Sequence, residues 1–515
     1  MKRNKSRLEY SIMNSSISTI IYVLRLVIQF VVRSFFIQYL GTKYLGLNGL
    51  FTNILSILSV AELGIGASII FALYRPLAEG DHEKVKSLMQ LYKRAYEAIG
   101  ILIGVLGVAI VPFLHLIIKN SGEFSNLYVI YLLFLFNSVV SYFFTYKRSL
   151  ITADQKAYVV SLNDFLFLMV ANIAQIFFLV QTANFEIYLI IQIITTVVGN
   201  VTISKIVDHR YPYIKEKNIQ PLPKADVTEI KHNVLGNISS KVGSVVVMGT
   251  DNILISAFVN LTAVGLYSNY TLIINAVQNL CTQVTTSITA SIGNYAVTKS
   301  SADGEKLFKR HFFVNHTLVF FTAVMLMSLL NPFIQWWVGG KYNLPILTVV
   351  LIVVNYAIQV YRNSGFAFIE SYGLFWYQRV KAFIEAGINL GASLIFLWVF
   401  KLGINGVLLG TIVSSFGFVI WYEAYVVYKY AIHRPLREYA ILIVRSMLET
   451  TVSGVCVYWL TNQLVTLLGL GGFFGLILEA VICGLLTLVF YLLLYSRRSE
   501  MKYFAKILLR MVKRG

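Results

Sequence analysis

Charge is scarce in this chain. Only 13% of its 515 residues are Asp, Glu, Lys or Arg, whereas 57% are hydrophobic, and mean hydropathy is +0.70. A soluble domain carries about 25% charged residues, so that class is excluded and an integral membrane protein is indicated. Cysteine is nearly absent too. Cys281, Cys456 and Cys483 stand singly in apolar runs, with no spacing for a disulfide framework or a thiolate metal site, and are expected to be packing residues. The seven histidines lack zinc spacing, no serine–histidine arrangement stands out, and the outer connections are too short to house a catalytic constellation. The expectation is no metal, no cofactor and no enzyme activity. No GxxxxGK[ST] loop occurs, which leaves an ion gradient of H+ or Na+, the membrane potential or product removal as the energy source.

Long apolar runs are what the chain does have. A helix needs roughly 20 apolar residues to cross about 30 Å of hydrocarbon, and about fourteen such segments follow one another: 13–38, 48–73, 96–118, 126–146, 158–181, 184–206, 234–259, 266–294, 312–337, 345–369, 376–400, 404–428, 439–463 and 472–495. They are continuously apolar, which indicates helices and excludes the alternating strands of a membrane barrel. Acidic residues are outnumbered, 24 against 43 basic ones, for a net charge of +19. With the N-terminus inside, the outer loops hold only Lys43, Lys119, Lys341 and Lys401. The excess therefore reads as positive-inside topology with both termini cytoplasmic, and as contact with anionic membrane lipids, not as a nucleic-acid surface. The leading MKRNKSR precedes a long, arginine-bearing run without a small-residue cleavage site, so it reads as the start of a retained helix.

The chain also repeats itself. FIQYLGTKYLGLNGLFTNILSIL after the first span matches ISAFVNLTAVGLYSNYTLIINAV after the seventh, each passing through a glycine-bearing turn into a polar-flecked helix. The fold class that follows is all-α, with two six-helix lobes as parallel repeats about an axis along the membrane normal, plus two C-terminal helices. The expected divisions are an N-terminal lobe at 1–207, a cytoplasmic linker at 208–231, a C-terminal lobe at 232–430, helices 13 and 14 at 431–496, and a basic amphipathic tail at 497–515. In that tail Met501, Phe504, Leu508 and Met511 share one face, as suits a helix on the inner leaflet.

Several spans carry polar stripes. Asn14, Ser18, Tyr22, Arg25, Gln29 and Arg33 lie within about 100° on helix 1. Asn233, Asn237, Lys241, Ser244, Met248 and Asp251 do likewise on helix 7, as do Asn355, Gln359, Arg362, Phe366 and Glu370 on helix 10. Helix 8 has an uncharged version that includes Asn275, Gln278, Asn279 and Thr282. An isolated Arg at the bilayer centre costs about 2.5 to more than 10 kcal/mol, so these groups face protein or water. Arg25, Lys241 and Arg362, with Arg33 nearer the outer end, are candidates for binding an anion in a central cavity, because guanidinium suits phosphate bidentately. Gln29, Asn237, Asn275, Asn279 and Gln359 are candidate polar lining. Glu62, Asp251, Glu370 and Glu385 are candidates for ion coupling, with Asp164 and Glu423 also at membrane depth. Lys381 with Glu385, and Arg445 with Glu449, have the i,i+4 spacing of structural ion pairs.

Fourteen helices in a 6+6+2 arrangement, a basic first helix, YLGTKYLGL at 39–47 and AELGIGASI at 61–69 together resemble the bacterial oligosaccharide-lipid flippases. That is the Wzx-type polysaccharide-transport branch of the superfamily that also holds multidrug extruders and lipid II flippases. The resemblance implies movement of an undecaprenyl-pyrophosphate-linked oligosaccharide from the inner to the outer leaflet of the bacterial cytoplasmic membrane, for capsule, exopolysaccharide or a related glycan. It further implies a glycan polymerase and other polysaccharide-assembly proteins as partners, pyrophosphate contact by Arg25, Lys241 and Arg362, and a lipid-tail groove at helices 13 and 14. A multidrug exporter of the same superfamily is the alternative, as is a flippase for lipid II or a teichoic-acid precursor.

Overall fold

A computed structural model describes all residues except 1–6, 63–64, 120–121, 123, 125, 217–218, 225, 229, 232–233, 235–248, 299–300, 470 and 513–515; side chains are in addition left undescribed at 7–12, 15, 60–61, 67, 287–298, 301–303 and 507–512. The described chain is helical and without strands: α1 Arg7–Leu58, α2 Ile65–Glu79, α3 His82–Ile110, α4 Leu127–Ala153, α5 Ala157–Thr182, α6 Phe185–Arg210, α7 249–258, α8 Leu261–Thr298, α9 Ser301–Trp337, α10 Ile346–Ser371, α11 Lys381–Trp398, α12 Ile404–Ser414, α13 Leu436–Leu468, α14 Gly472–Tyr495 and α15 Ser499–Val512. Helix α12 runs on to Ile432 through two π-turns, Ser415–Val419 and Tyr428–Ile432.

Eleven described helices are long and apolar enough to cross a membrane. The difference from fourteen has local causes. The first expected span and the start of the second are continuous in α1, which bends at Gly41, where φ 79 and ψ 177 form a backbone that only glycine adopts readily, and the remainder of the second from Ile65 belongs to the short α2. Most of the seventh lies outside the described residues, and α8 is interrupted by amides and hydroxyls.

The chain divides into two compact units, Met1–Gly265 and Leu266–Gly515. In the first, α4 packs against α2, α3 and α6, and α5 against α1 and α6. In the second, α9 is central, packing on α10, α13 and α14, while α12 packs on α10 and α11. Cys483 is buried between Val324 of α9 and Val457 of α13, and all three cysteines are free. The segment after α6 lies on α3: Lys86 Nζ meets Glu216 at 2.8 Å and Ser87 Oγ donates to the Gln220 carbonyl at 2.6 Å. The tail docks by its apolar face. Phe504 stacks on Phe313 of α9, and the Arg310 guanidinium lies 3.6 Å from the centre of the Tyr503 ring.

The two repeated turns meet inside the first unit, and they do so reciprocally. A Cβ on Gly46 would fall 2.0 Å from the carbonyl oxygen of Leu261, and one on Gly265 would fall 2.2 Å from that of Thr42. Leu261 and Thr42 each stand four residues before the other turn's glycine, so the contact has local two-fold symmetry and admits no side chain. Gly46→Ala and Gly265→Ala are each expected to lower the thermal unfolding temperature of the purified protein by several degrees, since overpacking costs about 1–3 kcal/mol. Gly484→Ala, with open space at its Cβ, serves as the unaffected control.

Candidate functional site

The buried charges of the second unit form one cluster. Arg362 of α10 directs Nε and Nη2 at the two carboxylate oxygens of Glu423 at 3.1 and 2.9 Å, and Nη1 at Glu385 at 3.3 Å and Gln359 at 2.8 Å. Lys381 Nζ meets the same Glu423 at 2.5 Å. Two cations and two anions, all buried, make a formally neutral group, the arrangement in which charge tolerates low dielectric. Glu423 lies on the α-helical turn between the two π-turns, where irregular winding re-aims side chains.

The first unit builds the same figure with fewer charges. Arg148 of α4 pairs with Asp164 of α5 at 2.8 Å and donates to Asn200 of α6 at 2.8 Å. Six helices on, Arg362, Glu385 and Glu423 occupy α10, α11 and α12 in the same roles. Where the first unit has neutral Asn200 the second has Glu423, and the added negative charge is balanced by Lys381. Sequence spacing pairs Lys381 with Glu385; the structure gives Lys381 to Glu423 and Glu385 to Arg362 instead, because α12 brings the central carboxylate between both cations. Arg445 and Glu449 do pair, at 2.8 Å.

The α10 stripe faces α12: Asn355 donates to the Leu408 carbonyl and Gln359 to Ser415. Arg362 is thus buried among partners and is not presented as a free cation. Glu370, at the end of that stripe, is exposed. On α8, Asn275 and Asn279 are exposed, while Thr282 accepts from Asn363 at 3.3 Å. On α1, Asn14 ties the helix to the α4–α5 turn by bonds to Gln155 and Tyr158, and Gln29 is exposed. Arg25 is half-buried, and its Nε has no hydrogen-bond partner among the described residues. Lys241 and Asn237 lie outside the described residues. Asp251 is half-buried, and its Oδ1 has no partner among the described residues. Glu62 is half-buried and accepts from Tyr96 at 3.5 Å, beside the stacked Tyr96–Tyr142 pair.

Sequence reasoning missed an uncharged cavity of about 470 Å³ in the first unit. Asn48 and Thr52 of α1, Asn137, Ser138 and Ser141 of α4, Asn172 and Gln175 of α5, and Tyr188, Gln192 and Thr196 of α6 line it. Gln175 is held by a bond to the Tyr188 carbonyl at 3.1 Å, and Asn137 Oδ1 has no partner among the described residues. Arg33 interacts electrostatically with Tyr188 at the edge of this space. The available signal was the recurrence of amides and hydroxyls at i,i+3 and i,i+4 on four helices, α1, α4, α5 and α6; each pair alone is weak. Such a lining offers many donors and acceptors, an aromatic face and no carboxylate. Among the described residues no cluster could hold a metal ion.

Glu423→Ala leaves two buried cations with Glu385 as their one carboxylate and is expected to destabilise by about 3–5 kcal/mol. Arg445→Ala removes a largely exposed partner and should cost about 1 kcal/mol or less. Thermal denaturation of the two variants in one detergent measures the contrast.

No protein-family model matches the chain, and no curated protein matches its sequence. Solved structures do match in fold. The lipid II flippase MurJ in an inward closed conformation aligns over 93% of this chain and 98% of its own, with a TM-score of 0.62 at 14% identity. An inward-facing multidrug resistance MATE family transporter of the MOP superfamily aligns over 81% and 98%, with a TM-score of 0.59 at 14% identity. A Vibrio cholerae MATE transporter aligns over 81% and 96%, with a TM-score of 0.53 at 15% identity. The chain is a multi-pass membrane protein with the fold that these solved transporters and this flippase share.

Proposed function

We propose that the protein is a flippase that moves an undecaprenyl-pyrophosphate-linked oligosaccharide from the inner to the outer leaflet of the bacterial cytoplasmic membrane by alternating access, with both termini cytoplasmic. The observation that carries this reading is the uncharged, amide- and hydroxyl-lined cavity of the first unit. Sugar hydroxyls each need a donor and an acceptor, and their apolar faces suit a ring such as Tyr188. A cationic drug would instead need a carboxylate or an aromatic cage. Arg25, Arg33 and Lys241 supply the positive charge for the pyrophosphate, and Arg362, neutralised by Glu385 and Glu423, is not assigned that role. Glu62 and Asp251 are the groups proposed for H+ or Na+ coupling, each lacking a basic ion-pair partner among the described residues. A glycan polymerase and other assembly proteins would take the delivered repeat unit.

The greater coverage by the lipid II flippase fold, 93% against 81% for the first MATE transporter, supports a lipid-linked cargo over a soluble drug. Leaflet translocation of a polyprenyl-pyrophosphate-linked oligosaccharide in proteoliposomes tests the reading. The wild-type protein is expected to translocate, with Arg25→Ala and the double variant Asn172→Leu/Gln192→Leu each reducing the rate about tenfold or more at equal insertion. Wild-type inactivity toward such lipids combined with export of a lipophilic cation overturns it.

A further inference from the structure

His316, in the middle of α9, is buried to 1% exposure and is unused by the reading above. Both ring nitrogens meet tyrosine hydroxyls: Nδ1 lies 2.8 Å from Tyr361 of α10, and Nε2 lies 2.7 Å from Tyr495 of α14. What lies beyond each tyrosine fixes the direction of these bonds. Tyr495 donates its only proton to the Glu449 carboxylate at 2.6 Å, so its oxygen is left to accept from Nε2–H. On the other side Thr450 donates to the Ser446 carbonyl at 2.9 Å, and its oxygen then accepts from Tyr361 at 3.2 Å. Tyr361 in turn accepts from Nδ1–H. A chain that ends in an acceptor at each end is complete only when both nitrogens of His316 carry hydrogen. The neutral ring breaks one link of this chain.

Burial opposes a charged ring, Glu449 attracts it and Arg498 repels it. Arg498 and Arg445 both hold Glu449, at 2.6 and 2.8 Å. The remaining groups that face the site are Tyr491 of α14, bonded to Thr317, Lys309 on α9 itself, and Glu500. His316, Lys309, Arg445, Arg498 and Glu500 line one cavity of about 420 Å³, which gives the relay an aqueous end.

We infer that His316 is a proton-binding site, loaded and discharged through Tyr495 and Glu449 from this cavity. Discharge balances as two concerted transfers. Nε2–H passes to the Tyr495 oxygen while the Tyr495 O–H passes to Glu449, leaving a neutral ring and a neutral carboxyl group. Water then takes the proton from Glu449, whose side chain is 15% exposed and whose partners Arg445 and Arg498 line the cavity. Use of this proton in a transport cycle rests on the transport reading; the binding itself does not.

The test is the ¹⁵N spectrum of the histidine-labelled protein in lipid nanodiscs between pH 8 and pH 4.5. With seven histidines in the chain, His316→Gln assigns the signal. If that variant does not fold, the ring is assigned by its proximity to two ¹³C-labelled tyrosines. The expected result is a ring that passes from one protonated nitrogen to two within this range, with the doubly protonated form lost in Tyr495→Phe and in Glu449→Gln. A ring with one bare nitrogen at every pH overturns the inference, as does a doubly protonated ring unaffected by both variants. Neither result depends on which substrate the protein moves.

Discussion

Charge inside hydrocarbon must be neutralised by the protein itself, and that constraint organises both units. An unpaired guanidinium there costs several kcal/mol, far more than any single packing contact returns. Each unit meets the cost by placing one arginine at the junction of three helices, with a carboxylate on the next helix and an oxygen acceptor on the one after. The substitution of a carboxylate for Asn200 at the corresponding place on α12 would have left a net negative charge. Lys381 removes it, and both its ammonium and the Arg362 guanidinium also lie against the Phe366 ring, at 5.0 and 5.2 Å. Compensation is thus conserved within the molecule even where the residues are not.

The second organising feature is the reciprocal approach of Gly46 and Gly265. Where association cannot draw on the hydrophobic effect, helices gain most from close backbone contact, and small residues allow it. At this crossing the backbones are so near that a methyl group would overlap a carbonyl oxygen on both sides. The duplicated glycine turns visible in the sequence are therefore a packing device, and their symmetry is a physical trace of the duplication.

The class of fold was legible because hydropathy and charge bias respond to the bilayer directly, residue by residue. Partnerships were not. Helical spacing places Arg362 on a polar stripe with Asn355 and Gln359, which is correct, but it cannot say that α12 covers that stripe. The same limit applies to Asn14, which shares the α1 stripe yet is spent on the α4–α5 turn. Periodicity reports which residues share a face of one helix, and the role of a face is decided by the helix packed against it. The amide cavity was hidden for a related reason: no single helix concentrates it, and four must converge before it exists. His316 lay deeper still, since its partners stand 45 and 179 residues away.

The two units have consequently diverged on one scaffold. The first keeps an open, uncharged space among α1, α4, α5 and α6, where Asn137 Oδ1 has no partner among the described residues. The second fills the region among α10, α11 and α12 with ion pairs, and it gathers a chain of titratable groups where α9 meets α10, α13 and α14. An unsatisfied neutral amide costs about 1–3 kcal/mol unless something binds it, whereas a closed ionic cluster has no such need. The first unit's cavity thus offers uncharged hydrogen-bonding groups, while the buried charges of the second unit are spent on one another. Both arrangements arise from unequal elaboration of the same helical plan.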